Sequence, residues 1–171
     1  MKLLQTFIYL TFAKRMKKKV EILAPAKNLS QGIAAINAGA DAVYVGAPQF
    51  GARSNATNSL EDVAELVKYA HLFGAQVFVV MNTILYDEEL ETCRQMIIDL
   101  HKIKVDALIV QDMAILEMDL PPIVIHASTQ ANNRDPKHVK FLADAGIKRV
   151  VLARELNLHK LKLFVMRRML S

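Results

Sequence analysis

Gly39-Ala40-Asp41-Ala42-Val43-Tyr44-Val45-Gly46 is the stretch that decides how this chain of 171 residues is read. Its run at 42–46 enters behind an aspartate, is rich in β-branched and aromatic residues, and leaves through a glycine. The run is nearly continuous in apolar residues rather than alternating, which is the pattern of a parallel strand covered on both faces. Val105-Asp106-Ala107-Leu108-Ile109-Val110 echoes it. Outward from these two, strand-like runs recur at 20–24, 76–81, 123–126 and 149–153.

The segments between the runs read as helices. Asn28 can cap a helix through Ile33, Ile36 and Ala38 that ends at Gly39. Ser59 and Asp62 have capping-box spacing ahead of Val63, Leu66, Val67 and Ala70, and Gly74 stops that helix. Asp87 opens a third, with Leu90, Cys93, Met96, Ile97 and Leu100 on one face. Asp135-Pro136 opens a fourth that ends at Gly146, and a shorter helix is expected over 112–118, before Pro121-Pro122.

Strand–helix alternation means an α/β fold with a parallel sheet. An open doubly wound sheet would carry a glycine-rich turn after its first strand. Ala24-Pro25-Ala26-Lys27-Asn28 has no glycine, and the repeated Gly-Ala-Asp style of unit favours a barrel. A complete barrel takes eight units and about 250 residues. The expected fold is therefore an incomplete (β/α)8 TIM-type barrel, about six parallel strands with helices outside. Residues 1–15 read as a leader of no clear structural role, 16–162 as the partial barrel and 163–171 as a divergent carboxyl-terminal tail. The runs at 20–24 and 149–153 would keep open edges, so self-association is expected.

Composition narrows the function classes. Hydrophobic content of 53% and charged content of 23% exclude intrinsic disorder. One cysteine, Cys93, excludes a disulfide scaffold and a cysteine-only zinc or iron–sulfur site within the chain, and suits a reducing cytoplasm. The net charge of +5 is carried by the ends: residues 1–20 hold six Lys and Arg, residues 156–171 hold four, and neither holds an acid. The body at 21–155 has 12 basic residues against 17 acidic ones, a net of −5, which disfavours an RNA- or DNA-binding face built from the body alone. The apolar stretch at 3–13 is too short to span a bilayer.

Barrel chemistry sits at the carboxyl-terminal ends of the strands. There the sequence offers Arg53 and Asn55 after strand two, Asn82 and Thr83 after strand three, and Gln111 and Asp112 after strand four. Strand five ends in His126-Ala127-Ser128-Thr129-Gln130-Ala131-Asn132 and strand six in Arg154-Glu155. His126, Arg154 and Glu155 are the catalytic candidates, by residue type, for proton transfer and anion stabilisation. Arg53, Asn82, Thr129 and Gln130 are the substrate-binding candidates, Arg53 for a carboxylate or phosphate. His126, Gln130, Arg154, Asn82 and Arg53 are expected to converge on one cavity. Ser128 and Thr129 lack a nucleophile elbow, no strand ends in a Schiff-base lysine, and no metal-ligand spacing is present. A phosphate-sugar barrel enzyme stays open as an alternative.

Glu21-Ile22-Leu23-Ala24-Pro25-Ala26, the Gly39–Gly46 stretch, Ser128-Thr129-Gln130-Ala131-Asn132 and Arg149-Val150-Val151-Leu152-Ala153-Arg154-Glu155-Leu156 together resemble peptidase family U32, the collagenase-like proteins, in its amino-terminal part. The resemblance implies a barrel domain and a peptidase label. It also implies kinship with proteins of oxygen-independent hydroxylation of tRNA or rRNA, which use prephenate and an iron–sulfur cluster held by cysteines. The substrate is thus expected to be a peptide, tRNA or rRNA, or a small acid, with neither DNA nor a membrane as partner. The family's cysteine-containing signature follows the Arg-Glu-Leu motif, where this sequence instead reads Leu163-Phe164-Val165-Met166-Arg167-Arg168-Met169-Leu170-Ser171. No cofactor is expected within this chain, which is expected to be inactive alone. A non-catalytic remnant that binds a small anion or a partner protein is the other reading.

Overall fold

A computed structural model describes residues 20–51 and 58–168. The leader at 1–15, Arg53 and Asn55 lie outside the described residues. Six parallel strands form one sheet in sequential order, β1 (Leu23–Ala26), β2 (Ala42–Gly46), β3 (Gln76–Met81), β4 (Ala107–Val110), β5 (Ile125–Ala127) and β6 (Arg149–Val150). Helices α1 (Leu29–Asn37), α2 (Leu60–Leu72), α3 (Leu90–Lys102), α4 (Pro136–Asp144) and α5 (Leu158–Arg168) fall between or after them. Sequential order with one strand direction is the connectivity of a (β/α)8 barrel; a doubly wound sheet would reverse its order at a switch point.

The repeated aspartates explain why the units register. Asp41 stands before β2, and its Oδ2 accepts the Ile22 N–H at 3.0 Å, just ahead of β1. Asp106 stands before β4, and its Oδ2 accepts the Val77 N–H of β3 at 2.8 Å, with His71 Nε2 3.0 Å away. Each carboxylate thus fixes the amino-terminal end of the neighbouring strand. Three helix starts follow the expected caps: Asn28 accepts from Gln31 N, Ser59 and Asp62 complete a capping box, and Asp135 accepts from Lys137 N. The helix expected to open at Asp87 instead begins as a 3-10 turn over Asp87–Glu89, with α3 starting at Leu90.

Period-two alternation divides the strands between two faces. Val43, Val45, Val77, Val79, Met81, Leu108 and Val110 pack outward against Ile36, Val63, Leu66, Val67, Cys93, Ile97 and Leu100 of the helices. Each such side chain, fully buried, contributes about 1.5–3 kcal/mol. Helices α1 and α2 approach closely at Gly32, where a Cβ would lie 2.6 Å from Leu66 Cδ1. The opposite face holds Ala42, Phe78, Ala107 and Ile109, with Leu23, Tyr44 and Val80 against them.

One contact measures the curvature. Arg149, at the start of β6, makes a two-bond ion pair with Glu21 ahead of β1, at 2.7 and 2.9 Å. Five strand spacings in a flat sheet would separate these ends by about 24 Å, beyond the reach of two side chains. The sheet is therefore curled, a half-barrel with helices outside and the smaller apolar face within.

Three boundaries differ from the sequence reading. Strand one lies at Leu23–Ala26 rather than 20–24, because Ile22 is already bound to Asp41 and Pro25 is tolerated in an edge strand. Strand five is shifted to Ile125–Ala127 from 123–126, and strand six shrinks to Arg149–Val150 from 149–153. Beyond Val150 the backbone changes partner: Val151 O accepts from Asn133 Nδ2, and Ala153 N donates to Asn133 O. The helix expected over 112–118 is a 3-10 turn, Met113–Glu117, capped by Asp112.

Replacement Asp106→Ala strips Val77 N–H of its acceptor at a buried strand start, so urea denaturation should show a loss of about 1–3 kcal/mol. An unchanged midpoint would show that the repeated aspartate does not hold the strand ends.

Candidate functional site

Because all six strands run the same way, their carboxyl-terminal ends share one rim, and the loops leaving them are tied together pairwise. Asn58 is buried and its Nδ2 donates to Lys27 O at 3.1 Å and Gly46 O at 3.2 Å, joining the ends of β1 and β2. Thr83 donates through N and Oγ1 to Phe50 O, joining the loops after β2 and β3. Asp112 accepts from Leu85 N at 2.9 Å, joining the loops after β3 and β4. Asn133, fully buried, donates through Nδ2 to Ser128 O at 2.7 Å and Val151 O at 2.9 Å, joining β5 to β6.

Inside this rim lies a cavity of about 750 Å³. Leu23, Tyr44, Val80, Ile109 and Val151 give it an apolar floor. Lys27 and Gln31 line it from the β1 side, Asn82 from β3, Ser128, Thr129 and Gln130 from β5, and Arg154 from β6. Two cations beside an apolar floor, with amides and hydroxyls on the same wall, suit an anion that carries an apolar body.

Of the residues singled out by sequence, the cavity gathers Asn82, Thr129, Gln130 and Arg154. Glu155 is exposed, does not line the cavity, and makes no ion pair with Arg154. His126 does not line it either. It lies one inward position before Ser128, 5% exposed, its ring edge-on to Phe78 at 4.9 Å, while the Arg149 guanidinium sits 5.4 Å from the Phe78 ring centre. Burial, helped by Arg149 and opposed by Glu21, pushes the His126 pKa down to about 4, so the ring is neutral near pH 7. Its Nδ1 is buried without a hydrogen-bond partner among the described residues. The residue is part of the barrel floor beneath the cavity, which corrects its expected place among the cavity residues.

Sequence reading missed Lys27, Tyr44, Asn58 and Asn133. Lys27 follows a strand that runs to Ala26, two residues beyond the Ala24 at which the apolar run breaks on Pro25. Tyr44 looked like strand interior, and only the strand's alternation distinguishes its inward face. Asn58 and Asn133 stand one and two residues before the helix caps Ser59 and Asp135, where an asparagine reads as ordinary loop.

The fold and this site define a parallel βα half-barrel protein with a cavity at the carboxyl-terminal ends of the strands. The chain belongs to peptidase family U32, whose model matches residues 27–168. It is 56% identical over 144 residues to the 23S rRNA 5-hydroxycytidine C2501 synthase of Escherichia coli, covering 84% of this chain and 22% of that protein. It is 39% identical to tRNA hydroxylation protein P1 of Bacillus subtilis, over 81% of this chain and 34% of that protein. The chain thus spans about a fifth to a third of these relatives' length. A solved U32 peptidase structure superposes with a TM-score of 0.71 at 14% identity, over 90% of this chain and 67% of that one, a likeness of fold.

Two outcomes follow. Asn133→Ala removes both ties between β5 and β6 and should lower stability by about 2 kcal/mol in urea titration, whereas a change below about 0.5 kcal/mol would deny the clamp. The folded pKa of His126 lies below its ordinary value of 6.5, so the unfolded chain takes up the proton first. The stability it contributes is whole above about pH 6.5 and drains as pH falls toward 4. His126→Phe should flatten the stability–pH curve over that window; an identical slope in both proteins would place the titration elsewhere.

Proposed function

We propose that this chain is the amino-terminal barrel portion of an oxygen-independent RNA-hydroxylation protein, working in the reducing cytoplasm, and that its cavity binds a small carboxylic acid such as prephenate. The observation that carries this reading is the cavity itself. Arg154 and Lys27 flank an apolar floor, so carboxylates can meet the cations while a ring lies on Tyr44, Val80 and Ile109. The RNA side of the reading is supported by the named activities of the rRNA and tRNA hydroxylation relatives.

Peptide cleavage finds less support in the site. Ser128 and Thr129 are the aliphatic hydroxyls on the cavity wall, and neither is hydrogen-bonded to a histidine or carboxylate among the described residues. Ser128 Oγ accepts from Gln130 N at 3.3 Å, as the cap of a short turn. An unactivated hydroxyl is a weak nucleophile.

The iron–sulfur cluster implied for full-length relatives has no fitting ligands here. Cys93 is fully buried on α3 against the outer core, and burial pushes its thiol up to about 11. No group of three or more His, Cys, Asp or Glu among the described residues could hold a metal ion. The roles assigned to this chain are accordingly binding and positioning: Arg154 and Lys27 hold the acid's charge, and Asn82 and Gln130 orient its polar edge. Alone, the chain should not hydroxylate RNA.

Calorimetry with prephenate tests the reading. Binding to the full chain is expected, with Arg154→Ala weaker by at least tenfold, about 1.4 kcal/mol. A chimera of the Escherichia coli relative carrying this chain's segment should restore rRNA hydroxylation, read by mass spectrometry. Binding indifferent to Arg154→Ala, a folded but silent chimera, or cleavage of gelatin by the chain would each overturn it.

A further inference from the structure

The charge of the body is unevenly spread. Residues 58–127 hold 4 Lys and Arg against 12 Asp and Glu, while 128–162 hold 8 against 3. The net negative body is therefore an average of an acidic stretch and a basic stretch, and each supplies a loop at the carboxyl-terminal ends of the strands. Asp87, Glu88 and Glu89 follow β3, whereas Arg134, Lys137, Arg154 and Lys160 follow β5 and β6. All four cations are exposed, and none makes an ion pair among the described residues. Of the acids beside them, Asp135 is engaged as the α4 cap, accepting from Lys137 N at 2.7 Å, and Glu155 is exposed.

The basic half is held in place. Ala153 N donates to Asn133 O at 3.2 Å, so Arg134 and Arg154 each stand one residue beyond a shared backbone bond and occupy neighbouring positions. Arg134 Nε donates to Asn132 Oδ1 at 2.6 Å, and Asn132 holds the left-handed conformation with φ of 58°. His138 Nε2 pairs with Ala131 O at 3.0 Å and braces the same loop. Lys137 and Lys160 are the second and third residues of α4 and α5, and neither helix has an acid in its first turn. Cations at a helix amino terminus oppose its dipole and cost stability. The dipole therefore does not account for their placement on either helix.

We infer that the basic half of the rim is a phosphate-binding ledge for a single RNA strand, laid across Arg134, Lys137 and Lys160, with Arg154 at the mouth of the cavity. This rests on the RNA reading above and adds where the strand lies. The acidic loop after β3 repels phosphates, so the backbone is confined to the β5–β6 side and one nucleotide faces the cavity. A single strand is specified because a base inside a duplex cannot reach a recessed site without being turned out of its stack.

Fluorescence anisotropy with a short single-stranded RNA and the full chain, at several salt concentrations, tests this. The double variant K137E/K160E, whose side chains make no ion pair among the described residues, should bind at least tenfold more weakly. Its salt dependence should be shallower by roughly 0.7 per lost phosphate contact. Arg134→Gln should weaken binding in the same direction. K68E, on the exposed side of α2, should stay within about twofold of wild type, and urea titration confirms that the variants fold. Wild-type affinity in K137E/K160E, or an equal loss in K68E, would overturn the ledge. A polyglutamate peptide that competes as well as RNA of equal charge would replace RNA with an acidic protein partner and overturn it too. If the ledge fails while Arg154 still governs prephenate binding, the ledge alone is wrong; if both fail, the functional reading falls with it.

Discussion

The curl of the sheet is the constraint on which everything else depends, and the Glu21–Arg149 ion pair records it. A flat six-stranded parallel sheet has two equivalent faces and no interior. Once curled, its inner face becomes a floor and its strand ends become a rim. Arg149 holds the Glu21 carboxyl below the usual carboxylate range, chiefly through their hydrogen bonds. The pair is partly exposed, with side chains 40% and 31% accessible, so its own contribution is modest, about 1 kcal/mol or less. The curvature itself comes from the core: large apolar side chains fill the outer face beneath the helices, while Ala42 and Ala107 keep the inner layer narrow enough for Phe78 to lie across it.

The rim converts that curvature into a site. Two buried asparagines, Asn58 and Asn133, do the same work at opposite ends of the sheet, each spending its amide N–H groups on two carbonyls of neighbouring strand ends. Thr83 and Asp112 supply ties between them. With the backbone satisfied in this way, Lys27, Gln130 and Arg154 are left to meet a ligand. The same clamp that sets Arg154 at the cavity sets Arg134 beside it on the outer rim. In the proposed reading, acid binding and RNA approach are thereby coupled to one piece of backbone.

Much of the fold was legible in the sequence, and the reasons are local. Runs 42–46, 76–81 and 107–110 coincide with β2, β3 and β4 because central parallel strands are buried on both faces and leave an unbroken apolar signature. The caps at Asn28, Ser59 and Asp135 were readable because capping chemistry depends on a few adjacent residues. The edge strands were less so: among the described residues β1 and β6 have one neighbour each, and the Asp41 carboxylate, accepting from Ile22 N, and the Asn133 amide, donating to Val151 O, decide where they start and stop. The site was legible to the extent that strand ends are. Asn82, Thr129, Gln130 and Arg154 could be found by position, but the inward layer that places His126 beneath the cavity depends on the sheet's pleat. The polarity of the rim was hidden by summing charge over the whole body.

A crystal structure of the chain with prephenate bound tests the central claim most directly, because it reads the curl and the cavity together. The expected result is a curled sheet with Glu21 and Arg149 joined, the acid lying on Tyr44, Val80 and Ile109, and its carboxylates on Arg154 and Lys27. An open sheet with Glu21 and Arg149 apart, or the acid seated outside the rim, would contradict it.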